Sequence, residues 1–441
     1  MTQLSAHQLE GIDKIRKWHT DAMVTGYADV FRLMGPAGTG KTTMAKEIPA
    51  ALGLTNVFYG TYTGKAAHVL RSRGAHPVST IHSAIYFPTS SEEAKAALRD
   101  AREELADMQA LAERTQGDPW ALRDAGWADP RELAGAIDEV SERIPELEAA
   151  ARRMSWEFNP MAEWSRADLI MLDEVSMVNA KLAADIESYG RPILVLGDPA
   201  QLPPVEGGGY YTEADPDFLL TEVHRTALDN PITALATRVR TSQGGSVGLT
   251  RDDLVPAVVA EAAEHDQVIV WTNRRRWALI KAIRTLRGFP EGVVPGDRIM
   301  CLTNNRDLAV FNGQQFDVLE AARDALGYAL TLRSDTGIVR ELPVFADGFM
   351  GQDMQEQAKR SGAGLRGNRM LATFAQAITC HKAQGSEYES VYVVNETPAM
   401  IGMYRNKPGG LAEGAAQARR WIYTAITRAR AKVTITAPPA R

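Results

Sequence analysis

Cysteine is scarce in this chain: Cys301 and Cys380 are the only two in 441 residues. Two are too few for a disulfide framework, and they lack the paired spacing of a zinc site, so both read as ordinary reduced thiols. The eight histidines form no recognisable metal-ligand cluster, which leaves a metal carried in by a ligand as the only one to expect. Long apolar runs are missing as well. No stretch approaches the roughly 20 residues that span a bilayer, and no basic-then-apolar leader opens the chain, so the expectation is a cytoplasmic protein with no membrane partner. Positive charge is also short, with a formal net charge of −6, which argues against a surface that attracts polyanions everywhere. The deficit is local. Between Ser83 and Ser165 lie 18 acidic and 9 basic residues, a balance of −9 that leaves +3 on the remainder. Core-forming material is ample, at 45% hydrophobic over a length worth about three domains.

One contiguous stretch carries explicit chemistry. Gly35-Pro36-Ala37-Gly38-Thr39-Gly40-Lys41-Thr42, followed by Thr43, comes after the apolar Phe31, Leu33 and Met34 and opens into a helical pattern at Met44, Ala45 and Ile48. That is the strand, glycine-rich loop and helix context of a P-loop. Glycines let successive backbone N–H groups and a helix N-terminus surround phosphate oxygens. Lys41 then reaches the β- and γ-phosphates, and the Thr42 hydroxyl ligates Mg²⁺. A nucleotide carrying Mg²⁺ is the expected ligand, and the loop by itself does not say what the nucleotide is for.

Short strand-like runs at Val57 to Tyr62, Leu169 to Leu172, Ile193 to Leu196 and Val268 to Trp271 alternate with helix-length intervals, the pattern of parallel α/β sheets. In such sheets function collects on loops at the C-terminal strand ends. Asp173-Glu174, directly after Leu169 to Leu172, is the acidic partner that a P-loop needs. Asp173 can hold Mg²⁺ through water, and Glu174 can take a proton from the attacking water. Gln201, in Gly197-Asp198-Pro199-Ala200-Gln201, can orient that water because its amide donates and accepts side by side. Upstream, Leu4, Ser5, Gln8, Ile12 and Ile15 read as a capped amphipathic helix, in which Gln8 is either a polar surface residue or a reader of adenine. Arg225 and Arg428 are candidates for stabilising transition-state charge, a role that either shares with any solvated arginine until more of the pattern is in view.

Taken together, these blocks resemble a superfamily 1 DNA helicase of the Dda and RecD-like branch. The matching segments are Gly35 to Thr43, Thr63 to Ala67, Ser79 to Ser83, Asp173 to Met177, Gly197 to Val205, Leu220 to Arg225, His381 to Gly385 and Tyr423 to Arg430, in the family's order. The resemblance implies an α/β fold of two RecA-like P-loop lobes that clamp ATP and grip single-stranded DNA. It implies that Arg428 and Arg225 report the γ-phosphate, that Gln8 recognises adenine and that Glu387 reaches the ribose. It assigns DNA contact to Thr63, Lys65, Thr80 and His82 on the first lobe and to Thr379, His381 and Lys382 on the second. Tyr62 stands where the family usually has proline, and an aromatic there offers a stacking surface to a base.

Two insertions interrupt the lobes. Ala94, Leu98, Ala101, Leu105, Met108 and Leu111, and then Leu133, Ile137, Val140, Ile144 and Leu147, recur at helical spacing. They predict an antiparallel helical hairpin in the first lobe, a candidate duplex-splitting pin, with Pro145 kinking or restarting its second helix. Trp120 or Trp127 either stacks on a base pair or packs the hairpin tip. Strand runs from Asp297 to about Phe345 predict a small antiparallel β-barrel in the second lobe, whose position matches the 5′-to-3′ branch. Gln352 to Arg369 reads as a mobile basic loop, and Met403 to Gly414 as another flexible connection. The expected division is 1–82 and 166–225 for the first lobe, 83–165 for the hairpin, 226–296 and 371–441 for the second lobe, and 297–370 for the barrel and its loop. The function expected is an ATP-dependent helicase moving 5′ to 3′ as a monomer, in a bacterial or phage-infected cell. Its partners are single-stranded DNA, single-to-double-strand junctions and replication or recombination proteins. The rivals are a translocase that strips proteins without unwinding and a nucleotide-switched DNA-binding or loading module.

Overall fold

The apolar runs of the sequence become the buried strands of parallel sheets, because a strand covered on both faces needs no polar alternation. The computed structural model describes residues 4–26, 29–90, 92–116, 118–152, 154–204, 209–222, 230–305, 307–364 and 368–438. In chain order the first strands are β1 (Val30–Met34), β2 (Val57–Thr61) and β3 (Val78–Thr80). An excursion follows, bounded by β4 (Tyr86–Ser90) and β5 (Met154–Phe158), which pair antiparallel with each other. Then come β6 (Leu169–Asp173), β7 (Ile193–Gly197) and β8 (Phe218–Leu219). Six of these strands form one wholly parallel sheet in the order β3-β2-β6-β7-β1-β8. Every residue of β6 and β7 is buried.

Three helices bear on the site. Helix α1 (Ala6–Thr25) starts at a capping box in which the Ser5 hydroxyl accepts from Gln8 N and the Gln8 amide accepts from Ser5 N. Helix α2 (Lys41–Leu52) opens on Gly40 in the left-handed region, and α3 (Gly64–Ser72) is capped by the Thr63 hydroxyl. Gly60 in β2 is there for space. A Cβ on it would lie 2.4 Å from the Trp164 ring and 2.8 Å from Leu172 Cδ2.

The second half repeats the arrangement. Strands β9 (Leu254–Val255) and β10 (Gln267–Val270) precede an inserted group, β11 (Arg298–Cys301), β12 (Gln315–Arg323), β13 (Gly327–Ser334), β14 (Val339–Phe345) and β15 (Ala372–Phe374). Strands β16 (Ala377–Thr379), β17 (Tyr388–Val393) and β18 (Ala429–Thr436) complete a second parallel sheet, β16-β10-β17-β18-β9. The inserted strands are antiparallel in the order β14-β13-β12-β11-β15, and Val344 of β14 makes an isolated bridge to Met370, two residues before β15. A buried polar network joins the inserted sheet to the second parallel sheet: Gln315 Nε2 donates to Gln267 Oε1, Gln376 Nε2 donates to Asp297, and Asp297 pairs with Arg284.

Tyr86–Phe158 and Glu356–Ala363 form a compact unit of their own, while both parallel sheets and the inserted antiparallel sheet lie in the other. Within the smaller unit, α4 (Glu92–Thr115) and α5 (Pro130–Arg152) pack through Ala101, Met108, Leu133 and Val140, with Trp127 against that cluster. Trp120 is not part of the packing; it is 76% exposed. Helix α5 runs through Pro145 without restarting, since good helix formers and packing on both sides outweigh the lost hydrogen bond.

Two further expectations are corrected. Gln352 to Arg369 is not a loop throughout, because Gln352–Arg360 is helix α6. Its Gln, Met, Glu, Ala, Lys and Arg are all strong helix formers, and low apolar content hid that propensity. The connection within Met403 to Gly414 is shorter than expected: a helix covers Thr397–Met403 and α7 (Gly410–Ile426) begins just past the left-handed Gly409, leaving residues 404–409 as turn between them. Among the described residues no helix is long and apolar enough to cross a membrane.

Gly60→Ala should therefore destabilise the protein by about 1–3 kcal/mol, the range for overpacking a filled core. A chemical denaturation midpoint lowered at unchanged slope is the expected result, and an unshifted midpoint would contradict the packing described.

Candidate active site

In a parallel sheet all strands end at the same edge, so the residues after β1, β2, β6 and β7 are brought together however far apart they lie in sequence. The loop after β1 bends through left-handed glycines, Gly38 at φ 84° and Gly40 at φ 78°. The Thr39 hydroxyl donates to Pro36 O at 2.9 Å, closing the turn from within. Lys41 Nζ folds back onto the loop, donating to Gly35 O at 2.7 Å and Pro36 O at 3.0 Å. Buried Gln8 ties α1 to this loop: its Nε2 donates to Thr39 O at 3.1 Å, while its Oε1 accepts from Ser5 N at 3.0 Å. Both ends of the amide proposed for adenine are thus engaged within the chain.

At the end of β6, the Thr42 hydroxyl donates to Asp173 Oδ2 at 3.4 Å, and Glu174 N donates to Asp173 Oδ1 at 2.9 Å. Glu174 has a left-handed backbone, φ 56°, uncommon for a residue with a side chain. Burial, reinforced by the neighbouring Glu174 charge and opposed by Lys41, raises the Asp173 pKa to about 6. A hydroxyl beside a carboxylate is an all-oxygen donor pair suited to Mg²⁺. Among the described residues no three His, Cys, Asp or Glu side chains converge to hold a metal by themselves. These two therefore suit an ion that brings its remaining ligands from phosphate and water.

After β7, Asp198 Oδ1 accepts from Ala200 N at 3.0 Å and its backbone O accepts from Gln201 N at 3.1 Å, forming the turn that carries Gln201. Gln201 is 6% exposed, and its Oε1 is buried with no hydrogen-bond partner. An unmet buried acceptor is costly unless a ligand or water completes it.

The second sheet supplies the facing wall of a cleft of about 840 Å³ lined by Lys41, Thr42, Asp173, Glu174 and Gln201 on one side and by Gly385, Glu387, Arg428 and Arg430 on the other. Arg428 is 4% exposed, and its guanidinium donates to Thr424 O, Ser386 O and Thr427 Oγ1. Glu387 takes two hydrogen bonds on Oε2 from Arg430, at 3.0 and 2.8 Å. Its burial raises its pKa, but Arg430, Arg428 and Arg73 outweigh that and hold it below the usual range. Arg225 lies outside the described residues.

The residues assigned to DNA make contacts within the chain. Tyr62 and His82 meet edge to face at 5.5 Å, and Thr80 bonds Ser83 Oγ at 2.8 Å. Thr63 caps α3. Lys65 lies in the cleft wall, 3.3 Å from Asp335 Oδ2 and over the Tyr388 ring. On the second half, Thr379 precedes His381, whose ring donates to Pro203 O and whose burial lowers its pKa, while Lys382 Nζ donates to Asn312 Oδ1 at 2.9 Å.

Sequence reasoning missed Tyr423, whose buried hydroxyl accepts from Ala37 N at 3.1 Å and donates to Asp198 Oδ2 at 2.6 Å. It also missed Thr424 and Gln384, which hold Leu202 N and Leu202 O at 2.9 and 2.8 Å. The available signal was their place inside blocks already recognised for a neighbouring arginine or histidine.

A family model described as an AAA domain matches residues 18–254. Among solved structures, the chain is similar to Pif1 helicase from Candida albicans at 16% identity and TM-score 0.50, covering 99% of this chain and 95% of that one. It is similar to Pif1 helicase from Bacteroides in complex with ADP-AlF3 and ssDNA at 17% identity and TM-score 0.52, covering 100% and 94%. Bacteroides Pif1 bound to ssDNA matches at 16% and 0.50, covering 100% and 93%. At these identities the likeness is one of fold. No curated protein matches the sequence.

Burial holds the Asp173 pKa up at about 6, so nucleotide binding that needs its carboxylate ionised should weaken as pH falls, approaching tenfold per pH unit below that value. Titrating a fluorescent nucleotide against wild type and Asp173→Asn separates this from protonation of the nucleotide itself. Equal pH slopes in the two proteins would contradict the assignment.

Proposed function

The chain belongs to the AAA domain family and has the two-lobed fold of superfamily 1 helicases, and on that premise we propose that it is an ATP-dependent DNA helicase translocating 5′ to 3′ on single strands. The observation that carries the reading is the composite cleft. A phosphate-binding loop, an acidic pair and Gln201 from one sheet face buried Arg428 from the other. A nucleotide-switched binding module needs the loop, but it needs neither a base nor an arginine across the cleft.

In this reading ATP lies along the loop, with its phosphates on the N–H groups of Gly38 to Thr42 and on Lys41, which exchanges its bonds to Gly35 O and Pro36 O for phosphate oxygens. Mg²⁺ fits the Thr42 and Asp173 oxygens and supplies charge neutralisation of the phosphates when bound. Glu174 accepts the proton of the attacking water, Gln201 Oε1 orients that water, and Arg428 stabilises charge on the transferring phosphoryl group. Loss of that charge on phosphate release removes the reason for the two halves to stay closed, which alternates the grip on DNA. DNA as the track is supported by the ssDNA bound to the Bacteroides Pif1 structures. Polarity is supported by the position of the inserted antiparallel sheet between β10 and β16.

Lys41→Ala should lower ATP hydrolysis by about 10²-fold or more, the scale for loss of a preorganised charge donor; retained turnover in a phosphate-release assay would overturn the site. On forked duplexes carrying one tail, unwinding is expected from the 5′ tail. Unwinding only from the 3′ tail would reverse the polarity, and ATP-driven stripping of bound protein without unwinding would make the protein a translocase.

A further inference from the structure

Tyr423 sits in α7 with 2% exposure, where phenylalanine would pack equally well, yet its hydroxyl is fully used. Both of its bonds go to loops of the opposite half, 386 and 225 residues away in sequence. The bond to Asp198 is short and charge-assisted, and an O–H polarised in this way becomes a better acceptor for Ala37 N–H. Burial and the Asp198 charge hold the phenol well above its ordinary pKa, so it remains a donor at any working pH. On the other side of Asp198 lies the turn that presents Gln201, the side chain with the unmet buried oxygen. One residue on, Leu202 has its N–H held by Thr424 and its carbonyl by Gln384, again from the second half. The loop carrying Gln201 is thus held from its start at Asp198 to Leu202 by groups of the second half.

We propose that Tyr423 is a positioning residue for hydrolysis: through Asp198 it sets Gln201, and through Ala37 it sets the phosphate loop, so that the water-orienting amide is aligned only while the two halves are joined. It touches no reacting atom and acts entirely through these two loops. The inference rests on the ATP-hydrolysing reading above.

The test is DNA-stimulated ATP hydrolysis by wild type, Tyr423→Phe, Gln201→Ala and the double variant, each with a thermal melt and an ADP-binding titration to establish that it is folded. Tyr423→Phe should lower kcat by about tenfold with KM for ATP within about threefold of wild type, a split that a general packing defect does not produce. In the Gln201→Ala background the same change should cost less than about twofold, because the residue it positions is gone. A wild-type kcat for Tyr423→Phe, a loss confined to KM, or the same cost in both backgrounds overturns the proposal. Should Tyr423→Phe fail to fold, Asp198→Asn, which keeps an acceptor but removes the charge, must show the same dependence on Gln201. Wild type that hydrolyses no ATP refutes the underlying function instead, a result distinct from all of these.

Discussion

The constraint on which this molecule depends is the parallel sheet. Strands that all run the same way deliver their following loops to one edge, and two such sheets in one chain give two edges that can share a cleft. The strand cores, Leu169 to Leu172 and Ile193 to Leu196, are buried on both faces, and the polar residues that follow them, Asp173, Glu174 and Gln201, line the cleft. Stability and chemistry are divided along each strand: apolar body, reactive end.

The cleft charges are arranged around that edge. Asp173, buried and beside Glu174, bears an unfavourable charge that a divalent ion would relieve. Lys41 is held by carbonyls of its own loop, a weaker arrangement than a phosphate would offer. Gln201 presents an acceptor that nothing in the chain satisfies. Asp173, Lys41 and Gln201 all line the same cleft, which concentrates charge and an open acceptor in one place.

What could be read from sequence was what is contiguous. The P-loop lies within eight residues, and its geometry is local, a glycine-dependent turn between a strand and a helix. The acidic pair was legible because it ends an apolar run. Helix α6 was misread, since a polar, glycine-flanked segment looks like a loop unless its propensity is weighed, and the seam of α4 and α5 was visible in its spacing while the fate of Pro145 was not. Lys65 was assigned to DNA by its motif, and its ion pair with Asp335, 270 residues away, had no sequence signal at all.

By itself the sequence determined the local chemistry: a phosphate loop, a carboxylate pair, apolar strands and amphipathic helices, because each depends on neighbours along the chain. Only the tertiary structure decided which of these meet. That Tyr423 bonds both Ala37 and Asp198, that Gln384 and Thr424 hold Leu202, and that Arg428 faces Lys41 across a cleft are consequences of packing two sheets together. A hydrogen bond depends on distance in space, and nothing in the order of residues records a distance that only folding creates.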